Sequence, residues 1–254
     1  MNKNFQNKIP QHVIWTLQQL QNDGYESYIV GGCVRDILID IEPKDFDIVT
    51  NAHPEDVRAI FKNSRIIGKR FPIAHVYFKS ELIEIATFRT ACDSNSAAKS
   101  ASNNTKNKDK NKKQSYKQSF FSRNRKDKHR EHSEHGMIIR DQVYGKNIEE
   151  DFIRRDFTVN ALYYNIKDFS LVDFTGGLED ITKRQIKLIG DPVTRYKEDP
   201  VRMLRAIRLA AKLDFSIHTD TKNPIFKLGH LLQNIPPGRI YEEYLKIFLK
   251  HIDI

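Results

Sequence analysis

Asp45 and Asp47 stand two residues apart at the head of the short apolar run Phe46–Thr50, a spacing that in a strand sends both carboxylates to the same side. Paired carboxylates are a ligand set for hard cations such as Mg²⁺, which take oxygen donors. Two such ions about 3.5 to 4 Å apart can activate an attacking hydroxyl and stabilise a departing pyrophosphate. A third carboxylate commonly completes the set. Glu84, alternating with Ile83 and Ile85, supplies a candidate on a strand that could lie beside the first. Asp-x-Asp alone is equally at home in a surface turn, so its context has to decide.

Just upstream, Gly31-Gly32-Cys33-Val34-Arg35-Asp36 reads as a strand end, paired glycines and a helix start. Backbone without side chains can approach a triphosphate, a helix N-terminus favours its charge, and Arg35 can pair with it. The same residues also fit a tight strand-to-helix turn with an Arg35–Asp36 surface pair.

The elements that must position these groups follow from periodicity. A helix is predicted over His12–Gln21, a strand over Ser27–Val30, a helix over Cys33–Ile39, a strand over Phe46–Thr50 and a helix over His53–Phe61 with acids in its first turn. Strands over Ala74–Phe78 and Glu81–Phe88 then close a small mixed sheet. Farther on, the pattern predicts a helix over Ile148–Tyr164, strands over Leu171–Phe174 and Gln185–Ile189 around Gly176-Gly177, and helix throughout from Asp199. Within Asp199–Leu213, Met203, Ile207, Ala210 and Ala211 share one predicted face, with Arg202, Arg205 and Arg208 elsewhere. The expected fold is α+β: a head over 1–190 with a mixed sheet and flanking helices, then an all-helical neck over 191–254.

Composition narrows the class of function. No apolar run approaches the roughly 18 residues of a membrane span, and the N-terminus lacks an apolar signal core, so no membrane and a cytoplasmic address are expected. Cys33 and Cys92 cannot build a disulfide framework, and neither has a partner at metal-ligand spacing. The formal charge of +9 points to a polyanionic partner. Residues 91–135 hold twelve Lys/Arg against five Asp/Glu, so this stretch carries most of the surplus. With almost no aliphatic residues it is predicted to be a disordered basic insertion, either a solvated spacer or a tether for RNA phosphates. Phe120 and Phe121 beside Arg123 and Arg125 favour RNA, because rings stack on bases.

GGCVRD, then KDFDIVT, then IEIATFR resemble the catalytic signature of the class II tRNA nucleotidyltransferase and poly(A) polymerase family. Past the insertion, Arg154-Arg155-Asp156-Phe157-Thr158-Val159-Asn160 resembles that family's ribose-recognition motif, and Asp173 to Asp180 its flexible head–neck motif. Glu198-Asp199-Pro200-Val201-Arg202 resembles its base-selecting motif. The resemblance implies that Asp45 and Asp47 bind two Mg²⁺ ions with Glu84 as the third acid. It implies that Gly31, Gly32 and Arg35 hold the triphosphate of ATP, that Arg155 and Asp156 hold the ribose, and that Asp199 and Arg202 read the base, with Asn160 and Arg205 also among the nucleotide-binding residues. Without it, Glu198, Asp199, Arg202 and Arg205 read as a solvated ion-pair face.

Two activities share these motifs. Ile66 to Val76, with Lys69, Arg70 and His75, resembles a segment peculiar to bacterial poly(A) polymerases, as does GMIIRDQVYG at 136–145. The implied activity is template-independent adenylate addition to RNA 3′ ends, with CCA addition to tRNA as the alternative within the family and an inactive RNA-binding fragment as the alternative outside it. The chain ends in a helix after Pro236-Pro237, where members of the family continue into a helical body. Weak RNA affinity and short, distributive tails are the corresponding expectation.

Overall fold

The structure is a computed structural model that describes residues 3–68, 72–79, 81–90, 143–145 and 147–248. The predicted insertion over 91–135, with Cys92 and the Phe120 to Arg125 cluster, lies outside the described residues. So do Lys69, Arg70 and most of the 136–145 segment.

Short helix α1 (Lys3–Asn7) leads to α2 (Gln11–Asn22), which Pro10 precedes and which buries Val13, Thr16, Leu17 and Leu20 at helical spacing. Next come β1 (Ser27–Val30), α3 (Gly32–Leu38), β2 (Asp47–Thr50), α4 (Pro54–Ile60), β3 (Ser64–Ile67), β4 (Ile73–Phe78) and β5 (Glu81–Thr87). A small ribbon joins β6 (Arg89–Thr90) to β7 (Val143–Tyr144), and α5 (Ile148–Arg154) follows. A 3₁₀ turn at Thr158–Asn160 leads into β8 (Leu162–Tyr164) and β9 (Leu171–Asp173).

Seven strands form one mixed sheet in the order β3-β4-β5-β2-β1-β8-β9, antiparallel except where β2 runs beside β5. Successive residues of the central strands point to opposite faces, and each face carries a buried cluster. Ile29, Ile48, Ile83, Ile85 and Val76 pack under α2, α3 and α4, whereas Val30, Val49 and Tyr163 meet Phe88 and Ile148 on the other side.

Beyond the sheet run α6 (Gly177–Thr182), β10 (Gln185–Ile186), α7 (Pro192–Glu198), α8 (Val201–Leu213), β11 (Ser216–Ile217), α9 (Thr219–Leu228) and, after a 3₁₀ turn, α10 (Pro237–Phe248). A second core gathers Phe157, Val159, Ile186 and Leu188 with Tyr196, Met203, Ala206, Leu209, Leu213 and Phe215. This cluster draws on both sides of residue 190. The fold is thus the expected α+β head followed by a mainly helical region.

Three local expectations are corrected. The stretch Ile148–Tyr164 is not one helix: it stops at Arg154, and Leu162–Tyr164 pairs antiparallel with the free edge of β1. The open strand edge and the burial of Tyr163 and Tyr164 on opposite faces override local helical preference. In α8 the buried stripe is Val201, Met203, Ala206, Leu209 and Leu213, while Ile207 is 43% exposed and Ala211 is exposed. Finally, helix does not run unbroken from Asp199, because Ser216–Ile217 adds a parallel strand beside β10.

Candidate active site

Asp47 opens β2 and lies opposite Val30 of β1 on one side and Glu84 of β5 on the other. Glu84 lies opposite His75, and His75 opposite Arg65. Directly paired residues share a face of the sheet, so Arg65, His75, Glu84 and Asp47 form one transverse row across four strands, facing away from α2, α3 and α4. His75 Nε2 is 3.5 Å from Glu84 Oε1. The expected adjacency of Glu84 to the acidic pair is therefore present.

The Asp47 carboxyl is pushed up to about 6, first by the surrounding protein, then by the Asp45 and Glu84 carboxylates, with Arg155 pulling the other way. Asp47 is nevertheless exposed to solvent, so a cation can approach it. Gly31 sits against it: its φ is 89°, and a Cβ there would come within 3.4 Å of Asp47 Oδ2. Any other residue at 31 would be strained and would crowd the carboxylate.

A carboxylate raised by its surroundings and by two like charges is one whose charged form a cation would favour, and the donors are hard oxygens, so the residues fit a divalent cation such as Mg²⁺. Among the described residues no group of three or more ligands converges into a closed cage. Two carboxylates with remaining positions for water and phosphate oxygens match the way Mg²⁺ is held.

The charge strain has a measurable consequence. An acid raised from 3.8 to about 6 makes the folded protein bind more protons than the unfolded chain between those values, so metal-free stability falls as pH rises through that window. Removing the charge removes the loss. Asp47→Asn is expected to stabilise the protein in EDTA by about 1 kcal/mol at pH 7.5, after allowance for solvent screening, and by close to nothing at pH 4. Urea unfolding at the two pH values checks it, and an equal shift at both would show that the carboxylate is not strained.

Arg35 is placed differently from the expectation of an open phosphate arm. It is 3% exposed, its Nε and Nη2 donate to Asp36 Oδ1 at 2.8 and 2.5 Å, and Nη1 donates to Asn160 Oδ1. The guanidinium backs onto Gly32, where a Cβ would meet Nη2 at 3.2 Å. Lys212 of α8 also approaches Asp36, at 3.7 Å. A phosphate reaches Arg35 only by exchanging these bonds, so here Arg35 and Asn160 tie α3 to the 3₁₀ turn.

Arg155 extends from the end of α5 toward the acids. It donates to Asp151 Oδ2 and to the Tyr163 hydroxyl, and lies over the Tyr163 ring. Next to it, Asp156 pairs with Arg205 at 2.5 Å. Arg195, which the sequence reading passed over, donates to the carbonyls of Arg154 and Arg155 at 2.9 and 2.6 Å and to Glu198 at 3.0 Å. Its three-residue spacing from Glu198 was the available signal. Arg202 donates to the Arg195 carbonyl and to Glu198, while Asp199 Oδ2 accepts from Arg239 of α10 at 3.0 Å.

Asp156, Asp199, Arg202 and Arg205 thus lie around the junction of the 154–156 segment with α7 and α8, whereas the Arg155 side chain goes to Asp151 and Tyr163 and Asn160 goes to Arg35. Arg195 Nε and Arg205 Nε are buried there without a hydrogen bond among the described residues, while Asp156 Oδ2 is held by the Arg205 ion pair. Unsatisfied buried polar atoms are costly, so their concentration at one junction suits a polar ligand.

Residues 27–187 match the family described as poly A polymerase head domain. The chain belongs to this family. Residues 214–251 match a second family, described as "Probable RNA and SrmB-binding site of polymerase A". Poly(A) polymerase I of Salmonella typhi is 44% identical over 239 residues, 94% of this chain and 45% of that protein. A CCA-adding enzyme of Anoxybacillus flavithermus is 33% identical over 92% of this chain and 49% of that enzyme. The fold superimposes on the Bacillus stearothermophilus CCA-adding enzyme in complex with CTP with a TM-score of 0.71 at 30% identity, covering 97% of this chain and 49% of the other. The chain spans about half the length of the curated relatives it matches. Among the described residues no helix is long and apolar enough to cross a membrane.

Proposed function

We propose that this poly A polymerase head domain chain transfers adenylate from ATP to RNA 3′ ends with release of pyrophosphate. The observation that carries the reading is the Asp45, Asp47 and Glu84 group built against the Gly31 turn, in a chain closer in sequence to Poly(A) polymerase I than to the CCA-adding enzymes compared with it. Asp45 and Asp47 would hold Mg²⁺, which would supply charge for activating the 3′-hydroxyl and for stabilising the departing pyrophosphate.

The chain's own residues do the rest. Gly31 lets the phosphates approach the acids without a side chain in the way, and Glu84 holds further negative charge beside Asp47. Arg155 brings a cation to the same acids, and Asp156 offers a carboxylate acceptor to a ribose hydroxyl. Asp199 and Arg202 would face the base from one helical junction, each held by a second group, Arg239 and Glu198. A pair fixed in this way favours repeated choice of one base, because a buried donor or acceptor left unpaired by the wrong base costs about 1 to 3 kcal/mol.

CCA addition is the second reading, favoured by the fold match to an enzyme bound to CTP. The test offers a generic RNA and a tRNA ending just before CCA, each with ATP and CTP singly and together. Repeated AMP incorporation on both, with CMP used about ten- to a hundredfold less well, is expected. Two C residues and one A followed by arrest, on the tRNA alone, would assign CCA addition. RNA binding without incorporation would leave an inactive RNA-binding fragment.

A further inference from the structure

A cavity lies on the opposite face of the sheet from the acids. It has a volume of about 800 Å³, and its walls come from α2, the end of α4 and the tips of β4 and β5. Trp15, Phe61 and Phe78 form its aromatic floor. The Trp15 ring makes T-shaped contacts with Phe61 and Phe78, with centroids 5.8 and 5.6 Å away, so neither phenylalanine stacks parallel on it. Trp15 is 45% exposed, although a tryptophan with two aromatic neighbours is usually well covered. Lys62 and Lys79, both exposed, stand on the rim. The wall's carboxylate, Glu81, is paired to His12 Nδ1 at 2.8 Å.

Flat rings open to solvent and flanked by cations match an anionic chain that carries flat bases. An apolar protein segment would bury the rings but would leave the lysines without complementary charge. We infer that this groove binds a nucleotide of single-stranded RNA upstream of the 3′ end, a base stacking on Trp15 and its phosphates meeting Lys62 and Lys79. The row that holds the acids ends at Arg65 on β3, the edge strand beside the groove. RNA leaving the catalytic face would meet Arg65 on its way round this edge of the sheet. The inference rests on the reading of the chain as an RNA 3′-end nucleotidyltransferase.

Trp15 is the sole tryptophan of the sequence, so its emission reports this groove and nothing else. The full chain is titrated with a 3′-deoxy-terminated oligoadenylate of twelve nucleotides, following Trp15 emission and, in parallel, the anisotropy of the labelled RNA. Quenching that saturates together with the anisotropy is expected, and ATP alone at the same concentrations should leave the emission unchanged. Lys62→Ala with Lys79→Ala, which touches no core residue, should lower the slope of log affinity against log salt by about 1.4. Trp15→Ala should weaken binding about tenfold, and Trp15→Phe should restore most of it.

Several results would overturn the inference. RNA bound by anisotropy with unchanged Trp15 emission would leave the groove to a protein segment. Equal quenching by ATP would make it a free-nucleotide site, and no RNA binding by either readout would remove it altogether. Asp47→Ala is carried through the same titration. If the transfer reading fails while the groove inference holds, quenching persists although neither protein incorporates nucleotide.

Discussion

Asp47→Ala is expected to lower Mg²⁺-dependent nucleotide incorporation about a thousandfold while leaving the fold intact. The fold survives because Asp47 stands exposed at the start of β2, and the strand is anchored by Ile48 and Val49 on its two faces. Activity does not survive, because the carboxylate beside Gly31 is the one toward which Asp45, Glu84 and Arg155 all direct their fields. Incorporation of labelled AMP at saturating Mg²⁺, alongside a thermal melt, separates the two effects. A melting temperature unchanged or slightly raised, with activity gone, is the expected pair of results. Comparable rates for the variant and the parent would remove Asp47 from the metal site, and a collapsed melt would make it structural.

Much of this site could be read from the sequence because its information is local. Asp45 and Asp47 declare themselves by a two-residue spacing, and Gly31-Gly32 by their position between a strand and a helix. Glu84 follows from strict alternation along β5. What stayed hidden depends on contacts that no spacing encodes. Arg35 turns inward because Asn160, 125 residues away, accepts its Nη1. The strand at Leu162–Tyr164 exists because β1 offers an open edge. Neither the partner nor the edge is visible from within the segment, whose own periodicity favours a helix. The stripe on α8 was misassigned for a related reason: Ile207 and Ala211 are as apolar as the residues buried beside them, and only the packing partners choose between the faces.

The misread segment also contains Asp151, the residue whose loss is expected to destabilise the fold most. Its side chain is completely buried in α5, yet it is charged. Arg155 Nη2 lies 2.8 Å from Oδ2 and Arg154 Nε 3.2 Å from Oδ1. The Tyr163 hydroxyl donates to Oδ2 at 2.9 Å, and the Arg89 amide donates to Oδ1 at 3.2 Å. Burial alone would raise this carboxyl, but Arg155, Arg154 and Tyr163 outweigh it and hold it below the ordinary range. One carboxylate thereby joins α5, β6, β8 and the arginine that faces the catalytic acids. Deleting one partner of a buried ion pair leaves the other charge uncompensated, so Asp151→Ala is expected to cost about 3 to 5 kcal/mol. Asp151→Asn, which keeps the shape and part of the hydrogen bonding, should cost less. Because the folded carboxyl lies below its unfolded value, its stabilisation is complete above the ordinary carboxylate range and is lost as pH falls through the folded value. The parent should therefore lose stability in acid more steeply than Asp151→Asn. Urea unfolding from pH 3 to 7 measures both quantities. A loss under about 1 kcal/mol for Asp151→Ala would mean that Arg155 finds water or Asp156 instead, and Arg155 would then owe its orientation toward Asp47 to something other than this carboxylate.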